Sequence, residues 1–204
     1  MNLLLHICCA VCLCSPLEEL RREKIHVHGY FYNPNIHPLL EFRKRLKAVC
    51  IFQESDPIIV DYCEEYGLME YLKEVDYEGN DRCGDCYRLR LKTTALYAKK
   101  KGFDAFCSTL LFSKHQDHDK IMKMGADIAE KTGIPFVYRD YRHLCECSRE
   151  IAGRKMLYKQ SYCGCIFSEY ERYKDTTRNL YEGGKLKENR TDYHSVKEGQ
   201  INCL

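Results

Sequence analysis

The stretch NLLLHICCAVCLCSPLEEL (residues 2–20) decides how the fold begins and where its chemistry lies. Residues 2–8 form an apolar run that predicts a buried β-strand. Ser15 followed by Pro16 predicts a helix start, because serine caps free backbone N–H groups and proline suits the first helical position. The loop between strand and helix carries four cysteines: Cys8, Cys9, Cys12 and Cys14. A sulfur-rich loop therefore follows the first predicted strand.

Strands and helices alternate along most of the chain. Further strands are predicted at residues 25–32, 58–62, 103–111 and 136–140, and further helices at residues 39–54, 63–75, 86–101 and 117–132. This alternation predicts an α/β fold with a mostly parallel, Rossmann-like sheet and helices on both faces. We expect one domain over residues 1–180, with a C-terminal helical appendix from about residue 145, and a polar tail over residues 181–204.

Length and composition limit the classes of protein to consider. The chain has 204 residues, a net charge of +2 and 45% hydrophobic residues, which indicates a globular protein without an overall nucleic-acid-binding charge. No apolar run approaches the roughly 20 residues of a membrane span, and the N-terminus does not resemble a signal peptide. We therefore expect a cytoplasmic protein with no membrane association. Fourteen cysteines in a reducing compartment point to metal, iron–sulfur or redox chemistry.

The first loop lies where ligands bind in this class of fold, but its sequence is not that of a nucleotide-binding loop. In open α/β sheets, ligands bind beyond the carboxyl ends of the strands, where the strand order reverses. Many such loops hold phosphate with glycine-rich turns, but no glycine lies between Met1 and Gly29. The sequence therefore argues against nucleotide binding at this loop.

A second C-x-x-C motif, Cys83 and Cys86, opens a predicted helix about seventy residues beyond the first loop. Pairs this far apart cannot form a compact zinc ribbon, so tertiary folding must bring the loops together. Helix N-terminal amides lower thiol pKa values and suit metal-binding thiolates. All-cysteine ligation by Cys8, Cys9, Cys83 and Cys86 fits an iron–sulfur cluster, with structural zinc as the alternative.

Other polar and sulfur-bearing residues suggest further roles. Cys12 and Asp85 belong to the same motifs and could hold a second metal, or could be a spare thiol and a turn former. Cys163 and Cys165 flank a glycine and could form a strained, redox-labile disulfide, or could add metal ligands. Three residues after the second predicted strand are either substrate contacts or turn formers: Asn33, Asn35 and His37.

Two stretches combine cations with tyrosines, residues 87–101 and 139–162. Cations suit RNA phosphates and aromatic rings suit splayed bases, although solvated helix faces have the same composition. An RNA-binding role for either stretch therefore remains open.

Five separated motifs share the pattern of one known family. They are H-x-C-C-A-x-C at 6–12, Y-N-P-N-I-H-P-x-x-E-x-x-x-R at 32–45, D-R-C-x-x-C-Y-x-x-R-L at 81–91, S-T-L-L-x-S at 108–113 and Y-C-G-C at 162–165. Together they resemble the QueH-type epoxyqueuosine reductases over residues 3 to about 167. Val11 departs from the usual proline without removing a ligand, and Cys14 looks like an addition of this chain.

The resemblance implies reduction of the epoxide of epoxyqueuosine at the tRNA wobble position, on a sheet like that of the adenine-nucleotide alpha hydrolases. It also implies a [4Fe-4S] cluster on the four grouped cysteines, an adjacent mononuclear iron or zinc, and a redox-active pair at Cys163 and Cys165. The expected partners are tRNA carrying epoxyqueuosine and an external ferredoxin or flavodoxin. Tyr87 is a further expected substrate contact, and Tyr87 or His6 is a candidate proton donor.

Two other classes of protein fit parts of the pattern. A zinc-stabilised RNA-binding module would use the same cysteines without catalysis. An ATP-dependent tRNA-thiolating enzyme would share the sheet and the cysteines, but it needs a nucleotide loop that the chain lacks.

Overall fold

The computed structural model describes residues 1–79 and 81–176, together with the backbone of two short strands, β5 (Tyr181–Glu182) and β6 (Lys185–Leu186). Four strands form one all-parallel sheet in the order β3-β2-β1-β4. They are β1 (Asn2–His6), β2 (His26–Phe31), β3 (Ile59–Tyr62) and β4 (Ala105–Ser108). The predicted α/β class with a parallel, Rossmann-like sheet is confirmed. The predicted tail lies outside the described residues, apart from β5 and β6.

Seven α-helices of the described residues cover the sheet, in two groups. They are α1 (Ala10–Arg22), α2 (Leu39–Ser55), α3 (Leu68–Glu74), α4 (Arg82–Lys101), α5 (His118–Thr132), α6 (Cys145–Arg154) and α7 (Ile166–Tyr173). Helix α1 packs on α2 and α6, whereas α4 packs on α5. Right-handed crossovers place these two groups on opposite faces, because the chain crosses from β3 to β4 against the direction of its earlier steps. Among the described residues, no helix combines the length and apolarity needed to cross a bilayer.

The strand order reverses beside β1, and the cysteine loop lies at that point. The chain runs from β1 to β2 on one side, while β4 pairs with the other edge of β1. His6 Nδ1 lies 2.8 Å from Ser108 Oγ, and the Cys8 N–H donates to Thr109 Oγ1 at 3.0 Å. These contacts join the carboxyl ends of β1 and β4, where open α/β sheets bind ligands. The predicted position of the sulfur-rich loop is therefore confirmed.

Helix α1 begins at Ala10, so the predicted start at Ser15 is wrong. Cys9 is its N-cap, and the Cys9 thiol sulfur accepts the Cys12 N–H at 3.3 Å. Pro16 lies inside the helix, where proline ordinarily costs about 3 kcal/mol. Nearly every residue of the first half of α1 is buried in the core, and this burial offsets the cost of the proline.

The predicted fifth strand at 136–140 is also wrong. Phe136 makes one isolated parallel bridge with Phe106, and the chain then turns away. The Tyr141 N–H donates to the carbonyl of Leu111 at 3.1 Å, beyond the end of β4. The apolar pattern therefore reflects packing against β4 and not continuous strand pairing.

Two helical glycines give a matched test of core packing. A Cβ added at Gly125 in α5 would lie 2.1 Å from Phe136 Cδ1, whereas one at Gly153 in α6 would meet only Lys159 Nζ, at 3.3 Å. We expect Gly125→Ala to lower the free energy of unfolding by about 1–3 kcal/mol through overpacking, despite better helix propensity. Gly153→Ala should raise it by up to about 1 kcal/mol. Urea denaturation measures both, and a stabilised Gly125→Ala protein would contradict the packing.

Candidate metal and thiol site

Three thiols of the first loop form one compact group. The Cys9 and Cys12 sulfurs are 2.8 Å apart, and the Cys8 and Cys9 sulfurs are 3.8 Å apart. Within the described ranges, this is the one set of three or more His, Cys, Asp or Glu donors lying within 4.8 Å of one another. Gln160 Nε2 lies 2.9 Å from the Cys9 sulfur. The group has the donor chemistry of a soft metal site.

The three thiols differ in acidity because they contact one another. Hydrogen bonds from Cys12 and then Cys9 hold the pKa of Cys8 well below its usual range, with Arg90 and Thr109 contributing. Burial raises the pKa of Cys9, and hydrogen bonding with Cys8 raises that of Cys12. The pKa of Cys8 therefore moves in the opposite direction to those of its two neighbours. A thiolate next to polarised thiols is the form that binds metal.

The second sulfur group surrounds a small cleft. Cys83 and Cys86 lie in the first two turns of α4, which Asp81 caps by accepting the Gly84 N–H at 3.0 Å. The Cys165 sulfur caps α7 by accepting the Ser168 N–H at 3.4 Å. The cleft is lined by four thiols, Cys83, Cys86, Cys163 and Cys165, with Asn35, Tyr71, Arg82, Tyr87, Arg90 and Gln116. Folding thus brings the C-x-x-C and Cys-Gly-Cys motifs together.

Arg90 lies between the two sulfur groups and is 2% exposed. Its guanidinium donates to Asn33 Oδ1 at 3.1 Å and approaches His6 Nε2 at 3.4 Å. Burial opposes its charge, but the thiols of Cys86 and Cys8 raise the pKa of Arg90. Its position explains how cysteines from distant motifs share one electrostatic environment.

His6 is held neutral beside this arginine. Burial, and then the charge of Arg90, lower the pKa of His6 to about 3. Its ring nitrogens lie 2.8 Å from Ser108 Oγ and 3.0 Å from the carbonyl of Tyr32. At neutral pH, His6 therefore orders the strand ends and holds no extra proton to give away.

Arg45 of α2 anchors the Cys-Gly-Cys segment. Its guanidinium donates to the carbonyls of Cys163 at 2.8 Å and Tyr162 at 3.0 Å, and it pairs with Glu41 at 2.7 Å. Gly164 has φ of +140° and allows the backbone to approach Arg45 closely. The segment is therefore fixed by a buried ion pair.

The two cysteines of this segment carry free thiols. Cys163 is exposed, and Gln116 Nε2 lies 3.4 Å from its sulfur, whereas Cys165 is buried. The redox-active pair stays a prediction, but one thiol of the pair is accessible.

Several predicted site residues are engaged elsewhere. The Asp85 carboxylate pairs with Arg88 at 2.6 Å and accepts the Asp76 N–H at 3.1 Å, so the second metal at Cys12 and Asp85 stays a prediction. Cys14 donates to the carbonyl of Ala10 inside the core. To bind this metal, the Asp85 carboxylate would have to release Arg88.

The predicted substrate residues separate into two kinds. Asn35 and Tyr87 line the cleft, and the buried Asn35 Oδ1 has no hydrogen-bond partner among the described residues. The Asn33 amide group donates to the Ile7 carbonyl at 2.8 Å, and its Oδ1 accepts a hydrogen bond from Arg90. His37 contacts the ring of Tyr71 with centroids 5.0 Å apart and lies behind the cleft. Of the four, Asn35 and Tyr87 are placed to meet a ligand.

Sequence reasoning assigned no role to Arg45, Arg90, Gln116 or Gln160. Two signals were readable: the spacing of four residues between Glu41 and Arg45, since such pairs meet on a helix, and the fixed arginine of the motif at 81–91, which is Arg90. Gln116 and Gln160 are revealed only by tertiary contacts.

The fold and the site together indicate a class of protein. A thiol-rich site at the switch point of a parallel sheet, without a phosphate-binding loop, belongs to a metal- or thiol-dependent α/β enzyme. The sequence profile described as "Epoxyqueuosine reductase QueH" matches residues 3–171. The chain belongs to this family, whose members are oxidoreductases.

Curated relatives agree with the profile. The chain is 38% identical to the epoxyqueuosine reductase QueH of Dehalococcoides mccartyi, over 84% of this chain and 94% of the relative. It is 36% identical to that of Thermotoga maritima, over 84% and 92% of the two chains, and 35% identical to that of Haemophilus influenzae, over 91% and 80%. The resemblance seen in the motifs thus extends along most of the chain.

The two asparagines provide a matched test of their roles. Asn33→Ala leaves the Ile7 carbonyl and Arg90 without partners in a buried site, and we expect it to lower the free energy of unfolding by about 2–4 kcal/mol. Asn35→Ala removes an oxygen that has no hydrogen-bond partner among the described residues, so it should lower the free energy of unfolding much less. Urea denaturation of the two variants compares them directly. Equal losses would show that Asn35 also has a structural role.

Proposed function

We propose that this enzyme removes the epoxide oxygen of epoxyqueuosine at the wobble position of tRNA and so forms queuosine. The single observation that carries the proposal is the sulfur-lined cleft, whose Arg90 contacts His6 beside the switch-point loop, in a chain that belongs to the family. The description of the family names the substrate, and the thiols supply the reducing chemistry that this substrate requires.

The chain's donors fit an iron–sulfur group. Cys8 and Cys9 precede the first turn of α1, Cys83 and Cys86 lie in the first two turns of α4, and Arg90 lies between the two pairs. Thiolates at helix N-termini with a nearby guanidinium suit the negative charge of a cysteine-ligated cluster. We assign these four cysteines to a [4Fe-4S] cluster, which when bound supplies single electrons. Cys12 and Asp85 are the proposed ligands of an adjacent iron or zinc.

The reaction balances with the Cys-Gly-Cys pair as the two-electron source. The dithiol of Cys163 and Cys165 becomes a disulfide, giving two electrons and two protons. The two C–O bonds of the epoxide break, a C=C bond forms, and the oxygen leaves as water. A ferredoxin or flavodoxin then returns the disulfide to the dithiol.

Tyr87 is the proposed proton donor at the cleft. Burial raises its pKa, so the phenol keeps its proton at neutral pH. Its oxygen already accepts the Asp117 N–H at 3.3 Å, which leaves the O–H free to donate into the cleft. Asn35 is the proposed polar contact to the substrate, and the expected location of the reaction is the cytoplasm.

An anaerobic assay tests the function. Purified enzyme, a chemical reductant and tRNA carrying epoxyqueuosine should give queuosine, identified by the mass of the released nucleoside. The protein should also be brown, with broad absorption near about 400 nm. A colourless protein that binds stoichiometric zinc and leaves the nucleoside unchanged would favour a zinc-stabilised RNA-binding module.

The redox role of the exposed thiol has its own test. We expect Cys163→Ser to abolish multiple turnover while the cluster absorbance stays at the wild-type level, because the serine cannot complete a disulfide. Cys147→Ser, at another exposed cysteine, is the control and should keep both properties. Loss of the cluster in Cys163→Ser would make Cys163 a ligand and not a redox group.

A further inference from the structure

Cations on the outer side of α2 lie beside the Cys-Gly-Cys segment. Arg43, Lys44 and Lys47 are exposed, and spacings of three and four residues bring Lys47 next to the other two. Lys44 Nζ lies 5.6 Å from the centre of the Tyr158 ring, which joins α2 to the segment that carries the exposed Lys159. We call Arg43, Lys44, Lys47 and Lys159 the α2 basic face.

This face is physically connected to the reacting thiols. Arg45, between Lys44 and Lys47 in sequence, turns inward and holds the carbonyls of Tyr162 and Cys163. The Tyr158 hydroxyl donates to Glu41 at 2.5 Å, the same carboxylate that fixes Arg45. The surface cations and the Cys163 backbone are thus held by the same helix.

The charge of the α2 basic face is not neutralised within the described part of the chain. No described carboxylate forms an ion pair with any of its four cations. On the opposite rim of the cleft, by contrast, three cations are paired: Arg82 with Glu171, Arg88 with Asp85, and Lys120 with Asp81. An anionic partner that reaches Cys163 therefore meets free positive charge on the α2 side.

The structure also distinguishes the two basic stretches seen in the sequence. Lys101, at the end of 87–101, lies with Asn2 and His26 at the amino end of the sheet, away from the cysteine loop. Within 139–162, Arg139 and Arg142 are paired with carboxylates, whereas Arg149, Arg154 and Lys159 form no ion pair with a described carboxylate. Of these three, Lys159 adjoins α2, because its neighbour Tyr158 contacts Lys44. The candidate RNA contact is therefore on α2 and its neighbouring segment.

We propose that the α2 basic face binds the phosphate backbone of the substrate RNA and so brings the modified nucleotide to Cys163. This inference rests on the proposed function for the identity of the RNA. An extended anionic strand matches a row of unpaired cations and contributes affinity that depends on salt.

The test uses full-length, metal-loaded enzyme and an unmodified anticodon stem-loop RNA, whose binding does not require the epoxide. We expect Lys44→Gln/Lys47→Gln to weaken binding on the order of 20-fold at 0.1 M salt and to lower the slope of log affinity against log salt by about 1.4. The control, Lys100→Gln/Lys123→Gln, removes two exposed lysines elsewhere and should leave affinity, salt slope and thermal midpoint unchanged.

Unchanged affinity in the α2 variant would overturn the proposal, and so would an equal loss in the control. A variant that binds RNA normally but accepts electrons more slowly from ferredoxin or flavodoxin would assign the face to the electron donor and also overturn it. A wild-type enzyme that binds RNA through this face but leaves epoxyqueuosine unreduced would support the interface and contradict the proposed activity.

Discussion

A buried guanidinium costs several kcal/mol unless its charge is compensated and its donors are used. Arg45 and Arg90 are 1% and 2% exposed, and both lie among the sulfur-bearing segments. Arg45 fixes the Cys-Gly-Cys backbone, and Arg90 joins the neighbourhoods of Cys8 and Cys86. Loops from opposite parts of the chain can therefore converge, because each brings negative or dipolar groups to a cation that needs them.

Helix N-termini complete this electrostatic arrangement. The Cys9 sulfur caps α1, Cys83 lies in the first turn of α4 with Cys86 one turn further on, and the Cys165 sulfur caps α7. Each N-terminus provides backbone N–H donors and the positive end of a helix dipole. Sulfur takes the place that phosphate holds in nucleotide-binding relatives of this architecture, for the same physical reason.

The sequence predicted features that depend on local pattern. The alternation of strands and helices, the position of the cysteine loop after β1, and the opening of a helix by Cys83 and Cys86 all follow from periodicity and spacing. The start of α1 was wrong because burial of its first turns outweighs the signal of Ser15 and Pro16. The predicted strand at 136–140 was wrong for a related reason, since a segment that makes a single bridge to β4 has the same apolar sequence pattern as a strand.

Residues that act through tertiary contacts could not be predicted in this way. Gln160 reaches the Cys9 sulfur across 151 positions of sequence, and Arg90 reaches His6 across 84. Asp85 lies within the C-x-x-C motif and so looks like a metal ligand in the sequence, but in the structure its carboxylate forms an ion pair with Arg88. Predicting such sites needs knowledge of which polar groups remain unpaired after folding.

Helix α2 has a mechanical consequence for the enzyme. Its inward arginine grips the carbonyls on either side of the Tyr162–Cys163 bond, while the lysine just before it faces solvent. Adjacent residues of one rigid helix cannot move independently, so a force on the outer side is transmitted to the thiol segment within a single helical turn. A polyanion bound to the outer side of α2 would therefore act mechanically on the Cys-Gly-Cys segment that Arg45 anchors.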